Sequence, residues 1–391
     1  MKHAYLDYQS AKPVDPRVVD AMLPYFTEKF GNPSALHEVG DQATEALESS
    51  RRQILEFING EDGDIVFTSG ATESINLGII GYVRRNRRKG RHIVISEIEH
   101  ISIRNIAKYL ESKGFSVSRV PVDQYGMVQL EKLERRLTDE TILVSVGYAN
   151  NEIGTIQPIK EIGEMTKERD IGLHTDAVAA EGLVDLDVER DNIDLMTLSS
   201  NDIYGPRGAG VLYYGPRSRP NPVMLGGGQE GGLRSGTENM PAIVGMSEAT
   251  RIMETEMDSE VKKLQSYRDK LIDGVLDNIP DSHLNGHPTK RLANNAHFRF
   301  DGVEGEAILL SFKDKGISVS TGSACTSKTL QPSHTLIATG LLHEEAHGSL
   351  QFTVGRFTED DDVKRALEAT PEIIRRLREM SPIYENKEGA Y

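Results

Sequence analysis

Ile65-Val66-Phe67-Thr68-Ser69-Gly70-Ala71-Thr72-Glu73-Ser74 runs from three apolar, β-prone residues through small and hydroxyl residues into an amphipathic pattern that reaches residue 89. This order reads as a strand, a tight glycine turn and a helix. Small residues at such a turn leave backbone N–H groups free at the helix N-terminus. Unpaired donors and the helix dipole there attract a phosphate, and the Ser69 and Thr72 hydroxyls can add to the pull. The same residue types also make an ordinary N-cap, so the motif alone supports either use.

The alternation continues outward from this stretch. Strands are predicted at 92–95, 116–120, 142–146, 171–174, 195–198 and 210–213, with amphipathic segments at 101–113, 129–137 and 159–169. Strand–helix alternation of this kind favours an α/β fold with a mostly parallel sheet covered on both faces. Gly226-Gly227-Gly228-Gln229-Glu230-Gly231-Gly232 breaks the pattern as a loop. A long helical pattern starts at Pro241, a residue suited to a first turn, and runs to about Asn278. Strands at 296–300 and 349–354 and a closing helix at 359–378 follow. The expected organisation is a large domain over 16–255 and a smaller α+β domain built from 1–15 and 256–391, with a polar tail from Glu385 to Tyr391.

Composition narrows the function classes. The chain has 391 residues, a net charge of −15 and 38% hydrophobic residues. That acidity argues against nucleic acid or an anionic membrane surface as partner. The one basic run, Arg84 to Arg91, reads as a solvated helix end. No apolar run of 18 residues occurs, so no membrane span is expected. The first residues lack a signal-peptide core. A single cysteine excludes an internal disulfide and a self-contained metal site, and a reducing cytoplasm fits best.

Two further stretches carry candidate chemistry. His174-Thr175-Asp176-Ala177 ends a predicted strand, where ligands of open parallel sheets bind. An Asp there can hold the proton of a pyridinium ring, or can simply serve the turn. Ser320-Thr321-Gly322-Ser323-Ala324-Cys325-Thr326-Ser327-Lys328 is small, polar and carries the only thiol. A structural cysteine usually sits among apolar neighbours, whereas one in an open polar segment is positioned to react.

Taken together, these stretches resemble the cysteine desulfurases of the NifS/IscS type, pyridoxal-phosphate (PLP) enzymes of fold type I that mobilise sulfur for iron–sulfur cluster assembly. The resemblance covers nearly the whole chain. It includes Tyr5-Leu6-Asp7-Tyr8, Pro13-Val14-Asp15-Pro16, Phe30-Gly31-Asn32-Pro33-Ser34, Glu99-His100 and Asn150-Asn151-Glu152-Ile153-Gly154. Tyr204-Gly205-Pro206, Arg234-Ser235-Gly236-Thr237, Gly322-Ser323-Ala324-Cys325 and Gly355-Arg356-Phe357 complete it. It implies a large domain with a mostly parallel sheet of seven-stranded type plus a smaller α+β domain, in a homodimer.

The resemblance also implies roles. Ala71 and Thr72 would hold the cofactor phosphate, Ser199 would add a contact, and Thr237 would reach the phosphate of the neighbouring subunit. His100 would stack on the ring and handle protons, Asn151 would bond the ring hydroxyl, and Asp176 the ring nitrogen. Arg356 would grip the carboxylate of a cysteine substrate. Cys325 would take the substrate sulfur as a persulfide and deliver it to a U-type scaffold.

The departures cluster around the chemistry. Asn201-Asp202 stands where the family has His-Lys, Ala179 replaces a Gln, Lys12 stands in a segment that is commonly Ala-Thr-Thr-Pro, and Gly231 replaces an Arg. The missing lysine both tethers PLP and moves protons on the substrate. Lys12 and Lys328 are the candidates to replace it. Two readings therefore stay open. One is a desulfurase that uses loosely held PLP, with Cys325 as persulfide carrier. The other is a non-catalytic partner whose Cys325 serves as metal ligand in an iron–sulfur cluster shared with the scaffold, because one chain with one cysteine cannot hold a cluster alone.

Overall fold

The computed structural model describes residues 3–321, 332–382 and 384. A short first strand, β1 (Ala4–Tyr5), precedes the seven strands of the main sheet. These are β2 (Asp64–Thr68), β3 (His92–Ser96), β4 (Ser116–Val120), β5 (Thr141–Ser145), β6 (Gly172–Asp176), β7 (Leu195–Ser199) and β8 (Gly210–Tyr214). Their order is β2-β8-β7-β6-β5-β3-β4. All neighbours are parallel except β8, which runs antiparallel to both β2 and β7.

Most of the strands read as near-continuous apolar runs because both faces are covered, and the edge strand β4, with Ser116, Ser118 and Arg119, is less buried. Successive side chains then feed opposite cores. Phe67, Val94, Val144 and Met196 pack into one cluster with Ile54 and Ile162. Val66, Ile93, Ile95, Leu143 and Leu195 pack into the other with Ile75, Ile79 and Ile106. This matches the α/β expectation, and the strand bounds shift from those predicted by one or two residues.

A second unit is built on an antiparallel sheet of β9 (Ser282–Asn285), β10 (Asn295–Phe300) and β12 (Ser349–Thr353). β11 (Ile317–Ser318) pairs in parallel with β1, which brings Ala4 and Leu6 into the apolar cluster of Phe298, Phe312 and Phe352. The helix Met240–Asn278 joins the two parts. Met246 packs on the main-sheet core, and Leu264, Leu271 and Val275 pack on the second core. Asn239 caps its start through Ala242 N–H, and Pro241 lies in the first turn, where its missing N–H costs nothing.

Parallel strands collect their C-terminal ends on one side. Ser96, Asp176 and Ser199 end β3, β6 and β7 there, and Gly147 lies just beyond β5. The turn after β2 meets the same side. Gly70 has φ +146°, a conformation that L side chains rarely adopt. Gly210 of β8 lets the turn approach, since a Cβ there would lie 2.6 Å from the Gly70 Cα.

Candidate active site

These strand ends enclose a cleft of about 270 Å³. Ala71, His100, Asn151 and Asp176 all line it, so four of the expected site residues come together. Glu99, Ala179, Asn201 and Asp202 line it as well. Ala71 opens the helix Ala71–Ile75, which continues through a π-helical segment, Asn76–Ile80, into Gly81–Asn86. Glu73 accepts from Ser69 N–H at 2.8 Å and is clamped by Arg234 at 2.9 Å, which fixes the turn. Thr72 is exposed on that first turn.

His100 caps the helix Ile101–Ser112, its Nδ1 accepting from Ser102 N–H, and presents its ring to the cleft. The Asn151 backbone carbonyl is held by Gln351 Nε2 at 2.8 Å. Asp176 Oδ1 accepts from Val178 N–H. Burial raises the Asp176 carboxyl above its ordinary value, and the neighbouring His100 opposes that rise.

Asp202 sits in the one-turn helix Ser200–Ile203 that follows β7, where the resemblance leads one to expect a lysine. Burial raises its carboxyl, Lys12 opposes the rise, and Asp176 adds to it. Ser199 bonds the Asp202 carboxyl with its side chain and donates its backbone N–H to Glu181 at 2.9 Å. Ser199 thus faces carboxylates here. Lys12 Nζ donates to the Asp202 backbone carbonyl and lies 5.3 Å from the Tyr204 ring centroid, outside the cleft lining.

The other expected residues are not part of the described cleft lining. Thr237 is exposed and away from the cleft lining. Arg356 also lies outside the lining. It pairs with Asp15 at 2.6 Å and Glu260 at 2.7 Å, and its guanidinium stacks 4.6 Å from the Tyr204 ring centroid. Its donors are therefore committed to carboxylates of the chain itself. Cys325 and Lys328 lie outside the described residues.

Sequence reasoning missed Glu181 and gave Glu99 no role. Both are nearly solvent-free, at 1% and 3% exposure. Burial pushes the Glu99 carboxyl to about 8 despite hydrogen bonds from Ser96 and Gly147, and raises Glu181 well above its ordinary value. Nothing in local sequence marks Glu181. It stands five residues beyond Asp176, in a turn that only the fold brings under Ser199.

The aminotransferase class-V family model matches residues 4–366. The chain belongs to the aminotransferase class-V family. It lies among the IscS/NifS cysteine desulfurases of that family. It is 58% identical over 97% of its length to a protein of Archaeoglobus fulgidus named cysteine desulfurase IscS 1, covering 99% of that relative. It is 49% identical over 98% of its length to cysteine desulfurase IscS of Methanosarcina thermophila, covering 94%. A solved structure titled NifS-like protein superposes with a TM-score of 0.87 at 31% identity, over 97% of this chain and 99% of that one.

Membership implies PLP as cofactor. The donor set fits the ring and phosphate of that group: the helix start at Ala71, the His100 ring, the Asn151 amide and the Asp176 carboxyl share one cleft. It offers no covalent tether among the described residues, because no lysine lines the cleft and Asp202 does. When bound, PLP supplies an electron sink for bonds to a substrate carbon. The side chains present can hold the ring and keep a proton at Glu99.

Proposed function

We propose that this chain acts in iron–sulfur cluster assembly as a cysteine desulfurase-like protein whose Cys325 handles sulfur for a U-type scaffold. The observation that carries this reading is the carboxyl group of Asp202 in a cleft that otherwise keeps the family's frame. Releasing sulfur from cysteine by the family's route needs an amine at that position, both to tether the cofactor and to move protons. A carboxyl group forms no such tether. At about 6 Å and an effective dielectric near 20, each unit charge that Asp202 sets against another anion costs roughly 3 kcal/mol.

Two uses of Cys325 follow. In the first it carries a persulfide to the scaffold. In the second it is a thiolate ligand of a cluster whose other ligands come from the scaffold, the cluster being cargo. Asp202 favours the second, since it needs no carbon–sulfur cleavage in this cleft. Cys325 stands in the small polar segment that the resemblance assigns to sulfur handling. Its thiol completes four ligands only with a partner.

The protein is further proposed to be a cytoplasmic homodimer, with residues 16–255 forming the cleft-bearing unit and 1–15 with 256–391 the unit carrying Cys325. Exposed Leu23, Phe26, Phe30 and Leu36 support self-association. Among the described residues no helix is long and apolar enough to cross a membrane.

The test mixes the protein with a U-type scaffold, iron and sulfide, and follows the cluster by visible absorption. Cys325→Ser is expected to lower both the yield and the lifetime of the cluster. An unchanged spectrum and lifetime would remove the ligand reading. Release of alanine from cysteine by the wild-type protein with added PLP would restore the catalytic one.

A further inference from the structure

The cleft lining contains three carboxyl groups, on Glu99, Asp176 and Asp202, and neither lysine nor arginine among the described residues. A fourth, Glu181, lies buried behind Ser199. The nearby cations are spoken for. Arg234 is bound to Glu73, and Arg356 to Asp15 and Glu260. Lys12 donates its Nζ to the backbone carbonyl of residue 202 and acts on the carboxyl group only through its field. A ligand that pairs with the Asp202 carboxyl group must therefore bring its own cation.

Size and the remaining groups narrow the ligand. About 270 Å³ suits one substituted ring, and His100 and Asn151 line the same space as Asp176. Ser199 and Asn201 each donate to the Asp202 carboxyl. A carboxylate offers about four acceptor sites, so capacity remains for an ammonium. A neutral aldehyde carbonyl offers Asp202 no donor, and no lining amine can capture it.

We propose that the cleft selects the amine form of the vitamin B6 phosphates, pyridoxamine 5′-phosphate, with the Asp202 carboxylate as partner of the ligand's aminomethyl ammonium. This rests on reading the cleft as one that holds a B6-type ring. Asp202 is then the residue that sets the specificity of the site. The charge that the family places on the protein at residue 202 arrives here on the ligand, and the complex is non-covalent.

Isothermal titration of the full chain with three phosphates tests this. Pyridoxamine 5′-phosphate is compared with pyridoxine 5′-phosphate, its neutral hydroxymethyl analogue, and with pyridoxal 5′-phosphate. A charge-assisted hydrogen bond predicts about tenfold or tighter binding of the amine over the alcohol. Asp202→Asn, nearly isosteric, should erase that preference and leave the alcohol's affinity within about threefold. Circular dichroism and a thermal melt establish that this variant folds. Equal affinities for amine and alcohol in the wild-type protein overturn the proposal, as does a preference that survives Asp202→Asn. If none of the three binds while Cys325→Ser still impairs the scaffold's cluster, this inference fails alone. If the amine preference holds and Cys325→Ser changes nothing, the cluster-assembly reading fails instead.

Discussion

Glu99→Gln should make the protein more stable as pH rises. Glu99 is 3% exposed, and burial lifts its carboxyl from 4.5 to about 8. The Ser96 hydroxyl and the Gly147 N–H both donate to its Oε1, an arrangement that a Gln carbonyl oxygen can keep. A carboxyl raised on folding supports stability fully below the unfolded value, and the support is lost as pH climbs toward the folded value. Between pH 5.5 and 7.5 the unfolded group is ionised while the folded one stays protonated. At about 1.4 kcal/mol per pH unit, the wild-type protein loses about 3 kcal/mol over that range through this residue alone. Glutamine has no proton to hold, so the variant escapes that loss. Urea unfolding of both proteins at pH 5.5 and 7.5, analysed with a shared slope, reads the difference. The free-energy gap should open by about 3 kcal/mol in favour of Glu99→Gln at the higher pH. A gap that stays constant with pH refutes the claim that Glu99 is held protonated in the fold.

Three other outcomes follow from the site. Asp202→Lys places an amine in the cleft beside Asp176, and should give a PLP absorption band that borohydride fixes on residue 202; a wild-type protein with the same fixed band would contradict the assignment. Arg356→Ala leaves Glu260 and part of the Asp15 pairing uncompensated at side-chain exposures of 6% and 4%, and should cost about 3 kcal/mol in urea unfolding with or without cysteine present. Gly210→Ala pushes a Cβ to 2.6 Å from the Gly70 Cα. It should lower stability by about 1–3 kcal/mol and weaken every B6 phosphate alike in the same titration; unaltered binding would show that the turn at Gly70 does not hold the phosphate.

The main sheet was legible because it is buried on both faces. Most of its strands are buried, mainly apolar runs such as Ile93–Ile95 and Leu195–Leu198, and glycine or polar turns separate them. The helix Glu38–Phe57 was not foreseen. Only Gly40, Ala43, Leu47, Ser50, Ile54 and Leu55 face inward, and small or polar members dilute that stripe. β1, β9 and β11 were missed for another reason. They have two to four residues each, too few to show a period, and exist because a partner strand is supplied from elsewhere. In the cleft, residues carried by local motifs were found. Ala71 and His100 stand at helix starts, Asp176 closes β6, and Asn151 lies in a turn marked by Asn150 and Gly154. Glu181 and the commitment of Arg356 were invisible, since both depend on contacts between distant segments: Glu181 with Ser199, and Arg356 with Asp15 and Glu260.

The pairing of β1 with β11 reaches beyond the finished molecule. Ala4 leaves the ribosome some three hundred residues before its strand partner Ile317. Until then Ala4 and Leu6, both fully buried at the end, have no core to enter. The main sheet can close during synthesis, but the second core must wait for Phe352 and Ile374. Pairings so distant in sequence are slow to form and leave sticky surface uncovered meanwhile. The amino-terminal arm is thus the last piece to be stitched in, and chaperone dependence should concentrate there.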